Sequence, residues 1–148
     1  LACVGLLAVC VGCGDASGQK LAPAKGKVVF NGQPVEGGII SFRPLAEVAP
    51  GVAAKPAAAE VQQDGTFVLA TFSKDDGATI GKCQVTYLPR LQSAKDYDDK
   101  PAVPAWAGTE PKTKEVEVQP GQNDFTVELV KMGQAAPAPS AGPAPANK

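Results

Sequence analysis

The side chains able to do chemistry in this chain fall into three groups. Asp96, Asp98 and Asp99 flank Tyr97, and Asp75-Asp76-Gly77 lies in a neighbouring connection. Calcium takes six to eight oxygen ligands, and three carboxylates in one loop can supply only part of that shell. The first cluster lacks the D-x-D-x-D-G spacing of a calcium loop, and Lys95 and Lys100 flank it. It reads as a solvated loop, with no metal expected. Asp75-Asp76-Gly77 reads as turn chemistry, because Asp tolerates a turn start and Gly supplies positive φ. The third group is aromatic. Trp106, the sole Trp, and Tyr97 would stack on a sugar ring if their faces were exposed, or plug the open end of a fold if they were not. There is no histidine. Ser-His-Asp and Cys-His catalysis and His-containing zinc sites are therefore excluded. The balance points away from an enzyme, and no cofactor is expected.

The four cysteines are unevenly placed. Cys3, Cys10 and Cys13 fall in the first 13 residues, and Cys83 stands alone. Residues 1–11 form an uncharged apolar run, too short for the roughly 20 residues that span a bilayer and of the length of a signal-peptide hydrophobic region. The run closes in Cys10-Val11-Gly12-Cys13. A small residue just before a Cys at that point resembles the lipobox of bacterial lipoproteins. The resemblance implies cleavage before Cys13, acylation of that residue, and an envelope location on the periplasmic or surface face of a membrane. Cys10 competes, since Leu7 stands three residues before it, but bulky Val9 precedes it directly where a small residue is wanted. A plain secretory signal or a short buried strand are the bland readings. With Cys13 acylated, the folded part keeps only Cys83, so no internal disulfide is expected. Cys83 lies mid-strand and reads as a small buried hydrophobe.

These groups need a scaffold, and composition narrows it. The 148 residues hold 16 Gly and 14 Pro, which disfavours helical bundles. The net charge is −1 with no Lys/Arg run, which argues against nucleic acid as a partner. Seven short alternating runs predict strands over residues 25–30, 38–43, 57–62, 66–72, 82–88, 114–119 and 124–130, with no helix. Asn31-Gly32 and Asp64-Gly65 mark turns. Pro34, lacking an N–H, predicts a connection longer than two residues after Asn31-Gly32. The inward face is predicted as Val28, Phe30, Ile40, Phe42, Val61, Phe67, Leu69, Val85, Tyr87, Val116, Val118, Phe125, Val127 and Leu129. The organisation is a signal over 1–12, a lipidated Cys and polar tether over 13–23, a β-sandwich over 24–132, and an Ala/Pro-rich tail over 133–148 expected to be disordered.

Four stretches carry a family resemblance. GKVVFNGQPVEGGIISFRP (26–44), QQDGTFVLATF (62–72), DDGATIGKCQVTY (75–87) and VQPGQNDFTVEL (118–129) resemble carboxypeptidase-regulatory-like, transthyretin-like domains. Together they span nearly all of residues 26–131. The resemblance implies an all-β, seven-stranded Greek-key β-sandwich behind a lipobox, anchored by lipid and without established catalysis. It also implies a non-catalytic structural or interaction module with a protein or polysaccharide partner. A carbohydrate-binding or adhesion module using Trp106 is the alternative. Gln84 and Trp106 stand where such domains often have Tyr. Hydroxyisourate hydrolase, a transthyretin-like enzyme, relies on His, so its activity does not transfer.

Overall fold

In the computed structural model, residues 18–90 and 103–133 are described. They form thirteen strands and no helix: β1 (Leu21–Ala22), β2 (Ala24–Phe30), β3 (Gln33–Pro34), β4 (Ile39–Pro44), β5 (Glu47–Ala49), β6 (Val52–Ala53), β7 (Ala57–Glu60), β8 (Thr66–Val68), β9 (Ala78–Thr79), β10 (Gly81–Leu88), β11 (Thr109–Pro111), β12 (Glu115–Val118) and β13 (Asn123–Lys131). All seven expected strands are present within a few residues. The expected 66–72 strand stops at Val68 and continues only as a bridge from Ala70 to Ala58. The other six strands are two or three residues long.

Two larger sheets share one core, giving a sandwich-like all-β fold. One has the order β12-β10-β4-β7, and the other has β11-β13-β2-β3 with β8 also pairing β2. Alternation explains the sheets. Along β10, Cys83, Val85 and Tyr87 are buried while Lys82, Gln84, Thr86 and Leu88 are exposed, the period of two that a half-buried strand requires. β13 lies parallel to β2, with Val127 opposite Val28, so their apolar residues enter the core in step. Across the core, the Phe42 ring meets Phe67 at 6.2 Å and Phe125 edge-on at 5.1 Å between ring centres. Eleven of the fourteen residues expected to point inward are buried. Phe30, Val116 and Phe125 are half-buried and pack against the same cluster.

The hairpin after β2 corrects one expectation. Phe30 pairs with Gln33, so the connection is the two residues Asn31-Gly32, with φ of 50° and 78° as a type I′ turn requires. Pro34 is tolerated because it sits opposite Val29 at a position that donates no ladder hydrogen bond. The next N–H, of Val35, bonds the Val28 carbonyl at 3.0 Å. Beyond it β2 changes partner, and Val28 N–H bonds the Gly65 carbonyl at 2.8 Å.

A second correction concerns the tether. Gln19 is buried, and its amide donates to the Lys55 carbonyl at 3.1 Å and to Thr79 Oγ1 at 2.7 Å. Its Oε1 accepts the Lys55 N–H at 2.8 Å, and β1 then pairs antiparallel with β9. The chain is thus fastened to the sandwich from Gln19, ahead of the expected boundary at residue 24. Short two-residue pairings carry no alternation, so nothing in the composition marked this segment as part of the domain. Between β4 and β7 the chain also folds on itself, as the β5–β6 hairpin.

Candidate functional site

Trp106 sits in a turn over residues 104–108, just before β11. The turn is pinned from both sides. Ala107 N–H bonds the Pro104 carbonyl at 2.9 Å, and the Met132 N–H bonds the Gly108 carbonyl at 3.0 Å. Lys131 Nζ donates to the Ala105 and Ala107 carbonyls at 2.7 and 3.1 Å, and lies 5.4 Å from the centre of the Phe30 ring. Thr109 Oγ1 donates to the Trp106 carbonyl at 2.6 Å. The indole itself is half-buried against the core. Its Nε1 is shielded from solvent and has no hydrogen-bond partner among the described residues. Tyr97 and the Asp96-Asp99 cluster lie outside the described residues, as do Cys10, Cys13 and the signal segment.

The second acidic group is a turn anchor. Asp76 Oδ1 accepts the Thr71 N–H at 2.6 Å, and Oδ2 accepts the N–H groups of Phe72 and Ser73, each at 2.8 Å. Burial pushes the Asp76 carboxyl upward. The bonds from Thr71, Ser73 and Phe72 outweigh it and hold the group below the ordinary 3.8. Both oxygens are occupied by the backbone. No group of three or more Cys, Asp or Glu among the described residues is placed to hold a metal ion. A testable consequence follows from the sign of the shift. A depressed carboxyl contributes stability that is complete above the unfolded value of 3.8 and is lost as pH falls through that value towards the folded one. Asp76→Asn should lower the melting temperature at neutral pH, and the gap to wild type should narrow below pH 3.8. Thermal scans across pH would check this. A gap that does not depend on pH would mean that the charge contributes nothing.

Cys83 and Tyr87 face inward from β10. Cys83 is a free, fully buried thiol, and burial raises its pKa, which suppresses the reactive thiolate. Burial pushes Tyr87 up to about 12, and its hydroxyl donates to the Gly37 carbonyl at 2.8 Å. Neither group is presented to solvent as a nucleophile.

One depression of about 570 Å³ opens near Gly38, where β4 begins and β7 and β10 end. Ile39, Ala58, Leu88 and Pro89 line it. Arg90 and Glu60 close its rim with a 2.8 Å ion pair between exposed side chains. Sequence reading did not single it out, because Ile39 and Leu88 fall on the polar side of their alternating strands. An outward apolar residue on each of two neighbouring strands was the available signal. Comparison with protein-family models, with characterised proteins and with solved structures finds no match to this chain.

Proposed function

We propose that the protein is a membrane-anchored lipoprotein of the bacterial cell envelope, acylated at Cys13. Its domain is a Greek-key sandwich of the transthyretin-like, carboxypeptidase-regulatory-like type, acting as a non-catalytic structural or interaction module. The observation that carries this reading is the uncharged run of residues 1–11 ending in Gly12-Cys13, followed within a few residues by an all-β domain. The Greek-key assignment is supported by the last long strand, β13, returning beside β2, the first long one. The non-catalytic assignment is supported by the uses of the described polar groups: Asp76 caps a turn, Tyr87 and Gln19 tie loops to strands, and Cys83 packs. The half-burial of Trp106 against the core favours a plug over a sugar-stacking platform.

The test is metabolic labelling with palmitate. Cys13→Ser should abolish incorporation and release the protein from the membrane fraction, while Cys10→Ser should leave both unchanged. Label retained by Cys13→Ser and lost from Cys10→Ser would move the anchor to Cys10. Absence of label from the unsubstituted protein would remove the anchor altogether.

A further inference from the structure

We infer that the end of the sandwich at which β2 begins is a lipid-contacting face, seated on the phosphate headgroups of the same membrane that holds the anchor. The inference rests on acylation at Cys13 and adds an orientation to it.

The first observation is a length. Gln19 is fixed to Lys55 and Thr79, so only residues 14–18 separate it from Cys13. Fully extended, that stretch reaches about 20 Å, less than the breadth of a small domain. The tether therefore keeps Gln19 within about 20 Å of the headgroups, close enough for the loops around it to meet them.

The second observation is what those loops carry. β4 ends and β10 begins at this end, where Leu45 N–H bonds the Lys82 carbonyl at 2.9 Å. Three large apolar side chains protrude from the loops here: Leu45, Val52 and Phe72 are 50%, 52% and 38% exposed. Exposed Lys20, Lys55, Lys74 and Lys82 accompany them. Lys55 Nζ lies 4.8 Å from the centre of the Phe72 ring, so cation and aromatic are offered together. Two of the neighbouring carboxylates are already engaged by backbone N–H groups, Glu47 by Gly51 and Asp76 by its three donors. Asp75, Glu117 opposite Lys82, and Asp124 opposite Lys25 remain exposed. Apolar tips among lysines suit the boundary between acyl chains and anionic headgroups.

The test uses the full acylated chain in vesicles of phosphatidylglycerol and phosphatidylethanolamine. One fluorescent label is placed at Val52→Cys, and another at Met132→Cys beyond the far end of β13. Nitroxide lipids should quench the first several-fold more than the second. Lys20→Glu with Lys74→Glu, both exposed and outside the core, should reduce quenching at position 52 while leaving the melting temperature unchanged. Equal quenching at the two positions, or no response to charge reversal, would overturn the orientation while the anchor stands. The mass of the N-terminal peptide separates the two failures. Absence of an acyl group at Cys13 overturns the anchor, and the orientation with it.

Discussion

Phe42→Ala is expected to destabilise the domain by about 3–5 kcal/mol, the range for removing a fully buried aromatic ring. Phe42 has no exposed surface and stands at the centre of the core, on β4, between Phe67 of β8 and Phe125 of β13. It is thus the side chain through which the four-stranded sheet grips the five-stranded one. A domain of this size has about 5–15 kcal/mol in total, so the loss would consume much of it. Phe125→Ala should cost less, because its ring is half-buried. Glu128→Ala, on the outward face of β13, should remove only an exposed ion pair to Lys112, worth about 0–1 kcal/mol. Urea denaturation of the three variants would rank them by midpoint at constant slope. A Glu128 variant as damaged as the Phe42 variant would put the register of β13 in error by one residue.

Gly26→Ala is expected to be at least as harmful, for a different reason. Gly26 lies inside β2, opposite Phe125 in the parallel ladder and opposite Phe67 in the antiparallel one. A Cβ there would overlap the Phe125 carbonyl oxygen and come within 2.7 Å of the Phe67 ring. The ring can turn aside, but the carbonyl belongs to the neighbouring backbone and can move only by parting the strands. Overpacking of this kind costs about 1–3 kcal/mol where neighbours can yield, and more where they are main chain. Gly32→Ala is the control. It introduces a side chain at φ +78°, a backbone strain absent at Gly26, but has nothing within 4 Å of the new Cβ. If the two variants melt together, the close approach at Gly26 is not limiting.

How much of this was legible depends on side-chain size and period. β10 and β13 announce themselves by alternation, and the Asn31-Gly32 turn by its need for positive φ. Each is found where expected. Ala22, Ala24, Ala57 and Ala78 are as deeply buried as the valines, yet alanine is at home in any environment and gave no signal. The β1–β9 and β5–β6 pairs are too short to show a period. Gly26 did offer a clue, since a glycine inside a strand marks close backbone approach, but the partner could not be named before the sheet order was known. The turn reading of Asp75-Asp76-Gly77 holds, while the three N–H groups converging on Asp76 depend on a fold of loop 71–76 that no local pattern encodes. At the candidate site, the presence of Trp106 was plain. Its half-burial depends on Lys131 and Met132, which are remote in sequence and hold its turn in place.

The parallel pairing of β2 and β13 has a mechanical consequence. The chain enters β2 at one end of the ladder and leaves β13 at the other, with seven residue pairs aligned between them. A pull applied to the two ends of the domain would act along the strands in opposite senses. All the ladder bonds between β2 and β13 would then be loaded together in shear, instead of being opened one at a time as in peeling. Rupture under force is governed by the unfolding rate, and a sheared ladder must lose many bonds in one step. A domain fixed to a membrane at its beginning and gripped by a partner at its end would resist extension through its first and last long strands.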